Sequence, residues 1–295
     1  MTSNLTPSIS RSNAPGIRLL RQILRNRSAQ FGGILLILLV FASYAAPLFT
    51  DKDPNKTAPS VALQPPSLEY PMGTDNIGRD NFTRFLYGGR LSLRVGLAGI
   101  TIGALIGITL GLTSGYFGGW VDAIISWFTD VLMAFPDILL ALAIIAILGP
   151  GITNAMLAIG FAFVPSFMRL TRSSVLSLRE MTYIEAAKAL GSSDARILVK
   201  HILPNSIRTL LVLITLGIGS SILAGAALNF LGLGAEPPTA EWGAMLNAGM
   251  KFVRQAWWLT FFPGLGIFLA VLSINLIGDA VSDAVAGTTI LSEKK

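Results

Sequence analysis

The chain of 295 residues has no cysteine and a single histidine, His201. Without cysteine there are no disulfides, no thiolate metal sites and no thiol nucleophile. One histidine excludes a metal centre built on clustered imidazoles. Charge is also scarce: only 13% of the residues are Asp, Glu, Lys or Arg, while 52% are hydrophobic. That charged fraction is about half of what a soluble domain carries. The catalytic and nucleotide-binding patterns are missing as well. There is no G-x-x-x-x-G-K-[ST] run, no H-E-x-x-H and no G-x-S-x-G, so ATP binding through a P-loop, zincin chemistry and a nucleophile elbow are all excluded. No cofactor is expected in this chain, and it is not expected to be an enzyme.

What is present in quantity is long apolar runs, uncharged apart from one aspartate in the third. They lie at 31–49, 95–113, 131–148, 152–168, 209–231 and 257–278. A helix needs about 20 apolar residues to cross the hydrocarbon of a bilayer, so these predict an all-α integral membrane protein of six spans. The third run holds Pro136 and Asp137 near its start, and a charge there should lie at the interface or against protein. The fourth holds Pro165, predicted to kink it. The five tryptophans, Trp120, Trp127, Trp242, Trp257 and Trp258, fall near run ends, where amphipathic rings are expected at the headgroups.

The net charge of +6 does not point to nucleic acid, because the basic residues sit in blocks between apolar runs rather than on one soluble face. Arg11, Arg18, Arg21, Arg25 and Arg27 precede the first run with no acidic residue among them, seven Lys or Arg lie in 169–208, and Lys294 and Lys295 end the chain. The positive-inside bias then places both termini in the cytoplasm. The 19-residue first run is too long for a signal-peptide core and is read as an uncleaved helix. The expected organisation is a cytoplasmic tail 1–30, a first span 31–49, an extracytoplasmic loop 50–94, a core of five spans over 95–285, and a tail 286–295. Within the core lie a cytoplasmic loop 172–208 and an outer loop 232–256.

In the second run Gly99, Gly103, Gly107 and Gly111 recur every four residues, forming one helical stripe that admits a second backbone at close range. Packing inside the subunit is favoured over an interface between subunits. Asp122, Asp130, Asp137 and Asp279 fall at or near run ends, where solvation and capping are favoured over ion carriage. Asp279 is expected to close the last span.

The cytoplasmic segment Tyr183-Ile-Glu-Ala-Ala-Lys-Ala-Leu-Gly191-Ser-Ser-Asp-Ala-Arg-Ile-Leu-Val-Lys-His-Ile-Leu-Pro204 reads as helix, turn, helix. Gly191 suits a helix C-cap, Ser192 or Ser193 an N-cap, and Pro204 the end of the second helix. Ala195, Leu198, Val199 and Ile202 predict an apolar face on that helix. It could lie against its own bundle, the membrane surface or a second protein.

Glu185-Ala186-Ala187, Gly191 and Leu203-Pro204 resemble the EAA loop of bacterial ABC importer permeases. His201 stands where that family commonly has Ile, as it does in the peptide-importer branch. Met72-Gly-Thr-Asp-Asn-Ile-Gly-Arg-Asp80 and the stretch following it, and Phe230-Leu-Gly-Leu-Gly-Ala-Glu-Pro-Pro-Thr-Ala-Glu-Trp-Gly-Ala-Met-Leu246, resemble the "C" subunit of dipeptide and oligopeptide importers. The resemblance covers about 31–285.

It implies a type I importer permease, multi-pass in the bacterial cytoplasmic membrane, working by alternating access. The implied partners are a second homologous permease subunit, two cytoplasmic ATPases that bind the ATP, an extracytoplasmic solute-binding protein, a peptide substrate and membrane lipid. Glu185, Ala186, Ala187, Gly191, Leu203 and Pro204 would form the coupling helix that docks on an ATPase. Nickel, glutathione or another small solute is the alternative cargo. For Asp75 and Arg79 a structural role is favoured over substrate contact. An ion-coupled secondary transporter is the rival reading, but neither an inverted repeat nor a mid-membrane charge is evident.

Overall fold

The computed structural model describes the backbone of residues 15–293 and the side chains of 19–286. Arg11, Lys294 and Lys295 lie outside the described residues. The described chain is helical throughout, apart from loops and one isolated bridge between Thr74 and Asp80. Eleven α-helices are described: α1 (Pro15–Arg25), α2 (Arg27–Tyr44), α3 (Asn81–Phe117), α4 (Gly119–Met133), α5 (Asp137–Leu148), α6 (Ile152–Arg179), α7 (Thr182–Ala189), α8 (Asp194–Ile197), α9 (Leu203–Phe230), α10 (Trp242–Met250) and α11 (Trp258–Glu293). Among the described residues, α2, α3, α6, α8 joined to α9, and α11 are each long and apolar enough to cross a membrane. The bent pair α4–α5 makes a sixth candidate if counted as one span.

Several boundaries differ from the expected ones, each for a local reason. The first span begins at Arg27, where Asn26 accepts from the Ser28 and Ala29 amides, and its α-helix ends at Tyr44 rather than Phe49. Arg90 donates to the Ser43 and Tyr44 carbonyls at 2.7 and 3.1 Å, occupying acceptors left free at that end. α3 starts at Asn81, inside the segment expected to be loop, because Asp80 caps it by accepting from the Thr83 amide. Arg84, Arg90 and Arg94 mask this start in an apolar-run reading.

The third run is not one straight helix: α4 and α5 meet at 96°. Pro136 sits at the N-cap of α5, where its missing amide hydrogen costs nothing. Pro165 lies inside α6, which is a single helical element from Ile152 to Arg179. α11 runs through Gly278 and Asp279 to Glu293, so Asp279 does not close it. Of the tryptophans, Trp120, Trp127 and Trp257 are exposed, whereas Trp242 and Trp258 are buried. Trp242 stacks on Phe85 at 5.4 Å and donates from Nε1 to the Phe85 carbonyl at 2.9 Å. α10 is thereby pinned onto α3 instead of resting at a headgroup.

The seam between α3 and α6 organises the bundle. A Cβ on Gly99 would stand 2.7 Å from Ile159 Cγ2, one on Gly103 2.6 Å from Phe163 Cβ, one on Gly107 2.5 Å from Phe167 Cβ, and one on Gly111 2.6 Å from the Met168 carbonyl oxygen. The stripe thus meets a helix of the same chain, and Gly115, 2.8 Å from Val175 Cβ, extends it by a turn. α9 packs against α3 and α11, and α2 lies along α11.

Candidate coupling surface and its supports

The cytoplasmic-loop candidate occupies α7, α8 and the start of α9. α7 ends in a Schellman motif: the Ser192 amide donates to the Ala187 carbonyl at 3.0 Å, and the Gly191 amide to the Lys188 carbonyl at 2.9 Å. Gly191 has φ of +79°, a left-handed value that only glycine adopts without steric cost. Ser193 stands at the N-cap of α8 but its side chain makes no capping bond.

Pro204 does not end this helix. Residues 198–202 form a π-turn in which the Leu203 amide donates to the Leu198 carbonyl, and α9 continues from Leu203 with Pro204 in its first turn. The wider turn accommodates a proline that lacks a donor and would otherwise clash with the carbonyl four residues back. It also shifts the buried face. Ile197 and Ile202, five apart, are fully buried, while Val199 is 63% exposed. Ala195 is exposed as well, so of the face expected from a regular helical repeat Leu198 and Ile202 pack while Ala195 and Val199 do not.

The buried face lies against its own bundle. Ile184, Ile197, Ile202 and Val175 form one core cluster, with Leu112, Tyr116 and Leu178 packed against it. Tyr116 Oη donates to Asp194 Oδ1 at 2.6 Å, and Lys188 Nζ stands 5.0 Å over the Tyr116 ring. Arg179 donates to the Gly115 carbonyl at 3.0 Å. The loop is therefore braced on the ends of α3 and α6. Its outer side is open: Glu185, Ala186 and Gly191 are exposed, Ala187 and Leu203 are half-buried, and Pro204 is exposed. Around them Leu190 is 86% exposed and Tyr183 43%. A Cβ on Gly191 would meet nothing within 4 Å. The braced back and free apolar front make a rigid platform that a second protein can engage.

Two of the four aspartates, Asp122 and Asp130, have partners that a single sequence does not reveal. Asp122 receives a bidentate pair from Arg172, Nε to Oδ1 and Nη2 to Oδ2, each at 2.6 Å. Ser126 donates to Oδ1 at 3.1 Å, and Ser114 donates to the same oxygen. Arg169 pairs with Asp130 at 2.7 Å. These contacts tie α4 to α3 and α6. Asp137 is exposed.

At the opposite end of α3, residues 50–80 fold over the helix start. Asp75 accepts from the Ile77 and Arg79 amides at 3.0 and 2.8 Å and from Arg79 Nε at 2.5 Å. Lys52 Nζ reaches Asp80 at 2.6 Å. Arg84 donates to the Pro54 and Pro238 carbonyls at 2.8 and 3.1 Å, joining this cap to the segment before α10. Glu241, 1% exposed, caps α10 through the Ala244 amide and accepts from Ser92 Oγ at 2.6 Å. Burial pushes its carboxyl above the usual range, against the opposing pull of the Ser92 hydroxyl and the α10 amides. Among the described residues no group of acids and imidazoles is arranged to hold a metal ion.

Residues 107–288 match the family described as "Binding-protein-dependent transport system inner membrane component". Residues 15–66 match the "N-terminal TM domain of oligopeptide transport permease C". The chain is 48% identical over 90% of its length, and 87% of the relative's, to the dipeptide transport system permease protein DppC of Alkalihalophilus pseudofirmus. It is 44% identical over 90% of its length, and 87% of the relative's, to the glutathione transport system permease protein GsiD of Escherichia coli. In fold it is similar to a chain of the inward-facing MetNI methionine ABC transporter, with a TM-score of 0.53 and 18% identity, covering 68% of this chain and 96% of that one. A chain of an amino acid ABC transporter solved with histidines aligns with a TM-score of 0.51 and 17% identity, covering 66% of this chain and 91% of that one.

Proposed function

Because the chain belongs to the family of binding-protein-dependent transport system inner membrane components, and is thus a non-catalytic, multi-pass permease subunit of an ABC importer, we propose that it moves di- and oligopeptides inward under the control of the turn at Gly191. Peptide leads because the DppC relative is named for dipeptide transport and the N-terminal match is to an oligopeptide permease domain. Glutathione, itself a peptide, is the second reading, from the GsiD relative.

In this reading Glu185, Ala186, Ala187 and Gly191 meet a groove on a partner ATPase. The small side chains permit close approach, and Glu185 offers an acceptor. Leu203 and Pro204 anchor the loop to α9. Both termini and the coupling turn face the cytoplasm, and residues 50–80 with α10 face a solute-binding protein outside. A second, homologous permease subunit completes the path, and ATP is bound and hydrolysed by two partner ATPases. Their closure would push on α7 and α8, and the contacts of Asp194 and Lys188 with Tyr116, together with the packing of Ile184 and Ile197 on Val175, would pass that motion to α3 and α6 as a switch between two arrangements. The observation that carries this is the combination of a fully buried back with an unobstructed front at Gly191.

The test is labelled-peptide uptake in cells lacking this chain, complemented with wild type or Gly191→Trp. Wild type should restore ATP-dependent uptake. Gly191→Trp should reach the membrane and transport nothing. Uptake unchanged by the bulky side chain would remove the coupling role. Restoration of glutathione but not dipeptide uptake would keep the importer and change its cargo.

A further inference from the structure

Up to Thr50 the chain contains five arginines and no acidic residue. α1 packs on α11 and α2, and its Arg21 and Arg25 are exposed, as are Arg27 at the start of α2 and Arg208 early in α9. Among the described residues, none of these four arginines has a carboxylate within ion-pairing distance. Asp279 and Asp283, exposed on α11, form no ion pair with them.

Beside these charges runs an apolar groove of 560 Å³ between α1, α9 and α11, lined by Leu19, Leu20, Ile23, Ile207, Leu211 and Val281, with Arg208 and Pro204 also on its wall. Arg208 is on the α9 wall, and Arg21, exposed, stands one residue past Leu20 in α1. Leu20 and Leu24 are 56% and 61% exposed, leaving an amphipathic basic helix of the kind that lies in a bilayer interface.

We propose that this groove seats an acyl chain of one anionic phospholipid, with Arg208 and Arg21 receiving its phosphate. The groove offers no polar wall apart from Arg208 and Thr215, which suits hydrocarbon. Unpaired guanidinium groups suit a phosphate, whose oxygens they meet with paired donors. Net charge then separates anionic from zwitterionic lipid, since a choline or ethanolamine headgroup brings its own cation to compete with the arginines. Because Pro204 borders the groove, an occupant would also brace the base of the coupling loop.

The experiment is native mass spectrometry of the purified importer containing the full chain, delipidated and re-exposed to phosphatidylglycerol or phosphatidylcholine of matched acyl chains. Wild type should retain phosphatidylglycerol with roughly thirtyfold preference, the scale expected from two arginines near a headgroup. The R21Q/R208Q pair should fall to parity, Arg21→Lys should keep the preference, and Ile207→Trp, which fills the groove with the arginines intact, should lose retention of both lipids. Water-soluble glycerol phosphate should not displace the lipid. Equal retention of the two lipids by wild type, or a preference that survives R21Q/R208Q, overturns the proposal. Displacement by glycerol phosphate, or undiminished retention in Ile207→Trp, overturns the groove as the seat. An acidic protein co-purifying in place of lipid would overturn it too.

Discussion

Gly107→Ala should loosen the α3–α6 seam, and its cost can be worked from the contacts. The new methyl would stand 2.5 Å from Phe167 Cβ, 2.6 Å from the Val164 carbonyl oxygen and 3.0 Å from the Met168 amide nitrogen, whereas ordinary contact begins at 3.4 Å. Two of these neighbours are backbone of α6, which has no rotamer to change. The helices must part by about 0.8 Å, or the backbone must distort locally, to relieve the oxygen contact. Gly103 and Gly111, one turn away on either side, are equally tight, so separation also opens their contacts. Overpacking of this kind costs about 1–3 kcal/mol. The gain in helix propensity is muted where helices are already formed in the membrane. Gly33→Ala is the control, since a Cβ there meets nothing within 4 Å. The assay is SDS-driven unfolding in mixed micelles followed by tryptophan fluorescence. Gly107→Ala should unfold earlier than wild type and Gly33→Ala should match it. Equal midpoints for the two variants would refute the seam as a backbone-to-backbone contact.

Four further outcomes follow from the same contacts. Glu241 is held above the usual carboxylate range by burial, so the folded chain keeps a proton that the unfolded chain has released; stability should fall as pH rises from the ordinary carboxylate value through the folded one. Glu241→Gln should flatten that slope, and a wild-type unfolding midpoint independent of pH would sink the argument. Arg172→Gln leaves Asp122 with serine donors only, a loss of about 1–2 kcal/mol because the pair is partly exposed; exchanging the two residues should recover part of it. Trp242→Ala should cost about 3–5 kcal/mol and Trp242→Phe about 1 kcal/mol for the lost bond to the Phe85 carbonyl, ranked by thermal unfolding in detergent. Gly191→Ala should lose only about 1–2 kcal/mol from its left-handed backbone and keep most transport, in contrast to Gly191→Trp.

What could be read from the sequence follows from the kind of information each feature leaves there. Apolar runs mark where hydrocarbon lies, so the five long helices are visible in the sequence while most of α4 lies outside the third run, and helices continue past the hydrocarbon under rules that hydropathy does not carry. α3 begins at Asn81 because Asp80 caps it, despite Arg84, Arg90 and Arg94. The bend at Pro136 and the π-turn before Pro204 arise because proline lacks a donor, and sequence alone leaves open whether a helix breaks, bends or widens. The widened turn then turned Val199 outward and Ile197 inward. The Gly191 cap and the glycine stripe were legible because each depends on local geometry or regular spacing. The Asp122–Arg172 pair was not, since its members lie 50 residues apart and nothing local links them. Glu241 gave no sign of burial beyond its place before Trp242.

The most direct test of the account is peptide uptake into proteoliposomes holding this chain with its second permease subunit and ATPases, with solute-binding protein outside the vesicle and ATP inside. The account predicts uptake that requires ATP, is indifferent to an imposed proton gradient, and is abolished by Gly191→Trp in a complex that still assembles. Uptake driven by the gradient without ATP, or undiminished by Gly191→Trp, would contradict it.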